Sequence, residues 1–364
     1  MKIKRFKAFN FRNISSCDIE FSDGVNLLYG NNAQGKTNAV EGIYVFARGK
    51  SHRASEDKEL IKFGEEGFII RIDYEDKTGD NYLEYAFFGK ERRRIKNGYK
   101  IEKIKEMLGS FRAVLFYPDD LTLVKESPEE RRAFLNVAIS QCYDSYMTYY
   151  YNYKKALENR NCLLKFASKG MYVDENELIS WSYYMAEYAS FIYIMRYEYI
   201  KKLSFYSEKI MKEISDGNEI LELIYKSDIK EDCDKRDVIL NEYKRIFTSE
   251  LEREKAAGTS LFGVHRDDIL ININGKSARL YASQGQQRSA VLSLKLGEGE
   301  VNKDICGDYP VFLFDDVLSE LDEKRRKYIF DGIGEKQIII TSCENDSGYD
   351  IPIKKIEVKS GEYK

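Results

Sequence analysis

Histidine and paired cysteine are what this sequence most lacks. Only two histidines occur in 364 residues, and the six cysteines, at positions 17, 142, 162, 233, 306 and 343, never form a C-x-x-C pair. That scarcity argues against a zinc site and against a disulfide framework, and it fits a reducing compartment. No apolar run approaches the ~20 residues a bilayer span needs; the stretch 191–195 is flanked by Ser190, Arg196 and Glu198. The opening MKIKRFKAFNF carries charges but no apolar core, so it does not read as a secretory signal. The expected location is therefore the cytoplasm, with no membrane partner. Net charge is missing too, since 58 Lys+Arg face 61 Asp+Glu. A wholly basic nucleic-acid coat is excluded, whereas a local basic face is not. No internal repeat or low-complexity tract occurs.

What is present is ample apolar material. Hydrophobic residues make up 43% of the chain, enough for a sizeable core in two domains or in one with a large insertion. Two segments are locally basic. Residues 1–12 hold Lys2, Lys4, Arg5, Lys7 and Arg12 with no acid, and residues 90–105 hold eight bases against Glu91 and Glu102. On charge alone these read as solvated strand faces sooner than as a nucleic-acid surface.

Imperfect alternation predicts a strand over 2–11. The apolar run 25–29 predicts a buried strand entering a loop at Gly30, and 67–74, 82–88 and 92–101 read as antiparallel strands, the last containing the hairpin pair Asn97-Gly98. Residues 113–117 form another, stopped by Pro118. Then the texture turns helical. Ser127, Pro128 and Glu130 mark a helix start with a capping box, and helical sequence runs on to about Lys169. Asp174 with Glu177 opens a second long helix, which Asp216-Gly217 would stop. Tyrosines crowd both, as suits a half-exposed lobe better than a stacking platform for bases. A third helix is expected over 234–257, ending at Gly258. Strand texture returns at 269–274, a helix over 286–299, a strand over 311–314 ending in Asp315-Asp316, a helix over 322–333 and a strand over 337–341. An α/β body at both chain ends thus brackets a helical insertion. The expected division is 1–117 plus 258–364 for the body and 118–257 for the insertion.

Three pieces carry chemistry. Gly30-Asn31-Asn32-Ala33-Gln34-Gly35-Lys36-Thr37 fills the pattern G-x-x-x-x-G-K-[ST], which arises by chance on the order of once per hundred chains of this length. Glycines let the backbone N–H groups turn towards phosphates, Lys36 can reach the β- and γ-phosphates, and the Thr37 hydroxyl can ligate Mg²⁺. Asp315, at the end of a buried strand, would hold that metal through water, and Asp316 would polarise the attacking water. Ser283-Gln284-Gly285-Gln286, at a helix start, makes an anion site or simply an N-cap.

The order of these pieces, followed by Ser319-Glu320-Leu321-Asp322, resembles the ABC-type, SMC-like P-loop ATPase head, an α/β fold with an inserted helical lobe. The stretches NFRN (10–13), YGNNAQGKTN (29–38), SHR (51–53), PDDLTLVKESPEERRAFL (118–135), HRDD (265–268), SQGQQR (283–288) and LFDDVLSELD (313–322) resemble the RecF family in particular, across nearly the whole chain. The resemblance implies ATP bound by Gly30 to Thr37, Mg²⁺ supported by Thr37 and Asp315, and Lys36, Asp315 and Asp316 as the catalytic set. Ser283, Gly285 and Gln286 would cap the γ-phosphate of ATP held by a partner subunit, so that ATP joins a head-to-head homodimer. Asp322 would close the second loop of that dimer, Arg12 and Asn13 would lie near the nucleotide, and His52 and Arg53 are candidates for phosphate or DNA contact. It further implies a role at the nucleoid in recombinational repair: double-stranded DNA at double-strand/single-strand junctions, RecR as protein partner, and promotion of RecA loading. Departures from other ABC heads are Asp316 where Glu is usual, Thr341-Ser342 in place of a switch histidine, no Gln at the junction Phe116-Tyr117-Pro118, and Ser-Gln-Gly-Gln in the signature. They predict slow hydrolysis that times dimer release. Arg325, Arg326 and Lys327 read as a solvated helix face, and His265 to Asp268 have no role that charge alone supplies. The alternative from a different class is a P-loop small-molecule phosphotransferase, which would need its own acceptor pocket and base.

Overall fold

The computed structural model describes residues 1–229, 235–345 and 352–364. Two sheets sandwich one helix at the heart of the body. The first sheet is antiparallel, in the order Ile14–Glu20, Lys2–Phe11, Gly67–Asp76, Gly79–Phe88, Glu91–Lys96, Tyr99–Ile101. The second runs Glu362–Tyr363, Ile353–Lys359, Val25–Tyr29, Ile338–Ser342, Val311–Asp315, Ala113–Phe116 and is parallel except for its first strand. Between them lies helix Lys36–Arg48. Side chains alternate across a strand, so each strand of the parallel sheet serves two cores. Leu28, Leu115, Leu313 and Ile339 face Val40, Ile43 and Phe46 of the helix and Phe6 and Phe68 of the antiparallel sheet. Leu27, Phe116, Phe312, Phe314, Ile338 and Ile340 face Ile210, Ile214, Leu292 and Phe330 on the other side. Both faces being covered explains why these strands read as short continuous apolar runs.

The hairpin at Asn97-Gly98 forms as expected, with φ of 50° and 86°. Three strands of the body escape sequence reading: Ile14–Glu20, Ile353–Lys359 and Glu362–Tyr363.

The helical lobe departs from expectation in four places. The helical run to about Lys169 is two helices, Pro128–Cys142 and Tyr146–Ala167, because Tyr143 adopts an extended backbone. The second helix then folds back, and the Tyr146 hydroxyl donates to Asn136 Oδ1. The capping box at Ser127 does not form; Pro128 and the acids Glu129 and Glu130 occupy the first turn instead. Asp174 does cap its helix, accepting from the Asn176 N–H, and Glu175–Ile214 runs unbroken to Asp216 and Gly217, both at positive φ. The expected helix 234–257 is Arg236–Ser249 followed by Leu251–Ala257, stopped at Gly258; residue 234, like Cys233, lies outside the described residues. Finally, the insertion contains a strand, Leu221–Lys226, which pairs with Asp268–Ile273. That strand and the lobe's helices share one core, in which Leu223, Ile269, Ile271 and Tyr243 all sit. Strand 268–273 therefore packs with the helical lobe, on the far side of the expected 257/258 division.

The HRDD stretch occupies the middle of this lobe. Arg196 and Asp267, each 1% exposed, pair at 3.0 Å, and the Tyr225 hydroxyl donates to the same carboxylate. Arg131 grips Asp268 with two donors at 2.7 and 3.0 Å, and Arg132 donates to the Asp267 carbonyl. Tyr153 meets His265 Nδ1 at 2.6 Å. Burial holds His265 down at about 4, so the ring is neutral near pH 7 and serves as a polar strut.

Helix Gln284–Cys306 joins the lobe to the body. Midway along it, Lys295 donates to the Leu115 carbonyl at 2.7 Å and pairs with buried Asp120 at 2.9 Å. Glu298, one turn on, is 3% exposed and lines a polar cavity of about 70 Å³ with Tyr44, Arg48, His52 and Lys295. Burial raises its carboxyl to about 7; Lys295 pulls it down and Asp120 pushes it further up. A carboxyl raised on folding stabilises fully below its unfolded value near 4.5, and that contribution is lost as pH rises through 7. Glu298→Gln is therefore expected to melt above the parent at pH 8 and close to it at pH 5. Melting curves at the two pH values check this, and a constant difference would refute it.

Candidate functional site

The parallel strand Val25–Tyr29 delivers its chain to a tight loop. Gly30 has φ +151° and passes so close to the strand Ile353–Lys359 that a Cβ would lie 2.3 Å from the Val358 carbonyl oxygen. Ala33 and Gly35, at φ 64° and 118°, complete the curl that turns N–H groups towards a phosphate. The Lys36 ammonium donates to the carbonyls of Gly30 and Asn31, at 2.5 and 2.8 Å, at the start of its helix. An open cavity of about 380 Å³ lies over this loop, lined by Asn13, Asn32 to Asn38, Arg53, Asp316 and Thr341.

Across the cavity floor the Thr37 hydroxyl donates to Asp315 Oδ1 at 2.9 Å, and the Thr341 hydroxyl donates to the same oxygen at 2.8 Å. Burial raises the Asp315 carboxyl, while the Thr341 and Thr37 hydroxyls oppose that shift. A hydroxyl and a carboxylate oxygen this close are the hard donors a magnesium ion takes. Among the described residues no group of three or more His, Cys, Asp or Glu forms a metal cage. A divalent ion here would thus draw its remaining ligands from phosphate and water. Asp316 is exposed at the cavity wall, at φ 55°, its N–H held by Thr341 Oγ1 at 2.9 Å.

Two supports of the loop were not legible in the sequence. The C-terminal hairpin clamps it: the N–H groups of Ser360 and Gly361 donate to the side chain and carbonyl of Gln34, at 2.5 and 2.9 Å, and the Tyr363 hydroxyl donates to the Gly35 carbonyl at 2.9 Å. On the other flank, Glu41 is fully buried on helix Lys36–Arg48. It accepts two donors from Arg12 (3.0 and 2.7 Å), one from Ser51 (2.5 Å) and one from Arg53 (3.3 Å). Arg53 also donates to Asn38, and Asn38 to Asn13, which donates to the Ala33 carbonyl. Arg12, Asn13 and Arg53 thus gather around the loop, Arg12 through Glu41 and Asn13 and Arg53 at the cavity wall. His52 turns away: it packs edge-on against Tyr44 and Tyr117 at the lobe junction, and burial lowers it to about 4, so it is not a phosphate ligand of this cavity.

Ser283 lies elsewhere. It caps helix Gln284–Cys306, accepting from the Gln286 N–H at 3.2 Å while Gln286 Oε1 accepts from the Ser283 N–H at 2.9 Å. Ser283 is exposed, and none of Ser283, Gly285 and Gln286 lines the cavity over the loop. Arg325 corrects the expectation of a solvated face. It donates to the Gly285 carbonyl at 2.9 Å and to Ser289 Oγ, and pairs with Asp322, the N-cap of helix Glu323–Asp331. It is a bolt between the signature loop and the Asp322 turn.

A phosphate loop on a central parallel strand, Asp315-Asp316 two strands away, a serine-capped helix leading out of the body and a helical lobe together define an SMC-like P-loop ATPase head. The family model described as "RecF/RecN/SMC N terminal domain" matches residues 2–351. The chain belongs to the RecF family. It is 41% identical over 346 residues to the DNA replication and repair protein RecF of Clostridioides difficile, covering 94% of this chain and 92% of that one. It is 40% identical to the protein of the same name from Clostridium tetani, covering 98% of each. A solved structure of the recombination mediator protein RecF-ATP in the RecFOR pathway superposes with a TM-score of 0.91 at 35% identity, over 100% of this chain and 97% of that one. The Smc head of Pyrococcus furiosus, bound to the C-terminal domain of ScpA, shares the fold at a TM-score of 0.58 and 18% identity, over 100% and 95% of the two chains. Among the described residues no helix is long and apolar enough to cross a membrane.

Proposed function

We propose that this chain is a non-motor, ATP-dependent DNA-binding protein of recombinational repair whose nucleotide site is shared between two copies. Gly30 to Thr37 hold the ATP phosphates, Thr37 and Asp315 support Mg²⁺, and Asp316 orients the attacking water. Ser283, Gly285 and Gln286 of a second copy close the site over the γ-phosphate. The observation that carries this reading is the separation of the two halves: the serine cap is built and exposed, yet lies outside the cavity of its own loop. A ligand touching both copies stabilises only the dimer, so ATP becomes its glue. Asp316 is the sole carboxylate among the described residues lining the cavity, so a phosphotransferase would find no second base among them.

The ATP-bound dimer binds double-stranded DNA near single-strand gaps through phosphate contacts, which makes binding steeply salt-dependent. With RecR it promotes RecA loading, and slow hydrolysis releases the dimer in the cytoplasm at the nucleoid. The body consists of 1–117 plus 258–364, except that 268–273 travels with the helical lobe.

Sedimentation with ATP·Mg²⁺, with ADP and without nucleotide tests the shared site. The parent is expected to dimerise with ATP alone and then to retain duplex DNA. Ser283→Ala is expected to bind ATP as the parent does but to stay monomeric. Normal dimerisation of Ser283→Ala, or turnover at motor-like rates, would sink the reading.

A further inference from the structure

One exposed ring stands beside the signature serine. Tyr281 ends the short helix Ala278–Tyr281, two residues before Ser283, and is 71% exposed. Among the described residues its side chain has no hydrogen bond or ring contact. The segment that carries it is nevertheless fixed. Ala278 is fully buried, the Ala282 N–H donates to the Ala278 carbonyl at 3.2 Å, and the Ala282 carbonyl accepts from Gln287 Nε2 at 3.2 Å. Gln287 belongs to helix Gln284–Cys306, which Ser283 caps, so Tyr281 and Ser283 are held on one block. We propose that Tyr281 stacks on the adenine of ATP bound by the partner copy, in the composite site that Ser283 closes; this rests on the shared-site reading above.

The cavity over the phosphate loop lacks what such a ring supplies. The described residues that line it offer amides, hydroxyls and charges but no aromatic ring, and Tyr281 is not among them. The triphosphate is thus provided for within one copy, while the base finds no stacking wall there. The reach fits. Ala282 and Ser283 both adopt extended backbone, so up to ~7 Å separates the Cα atoms of Tyr281 and Ser283. The phenol adds its own length, and the sum matches the span from the γ-phosphate to the base of an extended ATP. With Ser283 over the γ-phosphate, the ring comes to lie where the adenine ends. A tyrosine tolerates water on its face in the free monomer, because its hydroxyl stays solvated, and it gains when a flat base covers it. Choice between bases is then exercised at dimerisation, since the described cavity of each copy grips phosphates.

Sedimentation at saturating nucleotide and photolabelling test this on the full-length protein. For Tyr281→Ala the protein concentration at half-dimerisation with ATP·Mg²⁺ is expected to rise at least ~5-fold, and Tyr281→Phe should restore the parent value. With UTP, whose smaller ring stacks less, parent and Tyr281→Ala should differ little. Irradiated 2-azido-ATP should label the peptide carrying Tyr281 in the parent dimer and leave it unlabelled in monomeric Ser283→Ala. Melting curves that match the parent keep the comparison independent of folding. Tyr281→Ala dimerising with ATP as the parent does, an equal loss with UTP, an unlabelled Tyr281 peptide in the parent dimer, or a label there in the Ser283→Ala monomer would each overturn the stacking role and leave the shared site standing. Normal dimerisation of Ser283→Ala would instead remove the reading beneath it.

Discussion

Asp267→Ala is expected to destabilise the helical lobe by about 3–5 kcal/mol, because it leaves a buried guanidinium without its counter-charge. Arg196 is 1% exposed and reaches the Val264 carbonyl, Asn136, the Tyr146 hydroxyl and Asp267. Only the last of these carries a formal negative charge. The Tyr225 hydroxyl loses its acceptor in the same substitution. Burial already raises the Asp267 carboxyl to about 6 against the pull of Arg196, so solvation has been given up on both sides of the pair. Asp267→Asn keeps an oxygen for Tyr225 and Arg196 and should lose distinctly less. Urea unfolding followed by circular dichroism measures both, and an alanine variant within about 1 kcal/mol of the parent would show that the HRDD stretch is not what ties this lobe together.

The second large effect falls on ligand affinity. Lys36→Ala removes the one ammonium among the described residues that line the cavity over the loop. A hydrogen bond to a charged group contributes about 1.5–3 kcal/mol, so ATP affinity should fall roughly 10- to 150-fold. Thermal stability should hardly change, because Lys36 bonds to carbonyls of its own loop and otherwise only reaches the Cys343 sulfur at 4.0 Å, and the loop's hold on the C-terminal hairpin runs through Gln34 and Gly35. Calorimetric titration with ATP·Mg²⁺, paired with a melting curve, separates the two. A weakly affected Kd would mean that the triphosphate does not lie along the loop, and a low Tm would mean that the residue acts through the fold.

What the sequence made legible was local. The phosphate loop is eight contiguous residues whose backbone and side chains act together, and Asp315-Asp316 stands out because an apolar strand covered on both faces must end before it can carry acids. The long helix from Glu175 was readable from its cap and its stop. The supports of the site were not readable, because each is a long-range contact with a weak local signal. Strand Ile353–Lys359 carries three lysines and only two fully buried apolar residues, Ile356 and Val358, yet its hairpin holds Gln34 and Gly35. Glu41 looks like any helix acid until Arg12, Ser51 and Arg53 converge on it. The break at Tyr143 needs neither glycine nor proline; packing of the returning helix imposes it. HRDD was visible as four residues, but its partners Arg131, Arg132, Arg196 and Tyr225 come from three other elements.

Helix Gln284–Cys306 is a lever. It is gripped near its middle, where Lys295 meets Asp120 and the Leu115 carbonyl, and near its tip, where Arg325 holds the Gly285 carbonyl and Ser289, while Ser283 itself lies exposed. Eleven residues of helix put that tip ~17 Å from the fulcrum. A tilt of only ~5° at the junction would sweep the serine by ~1.5 Å, enough to make or break a hydrogen bond. A small motion at the seam would thereby reach the serine and, through Arg325, the Asp322 turn together.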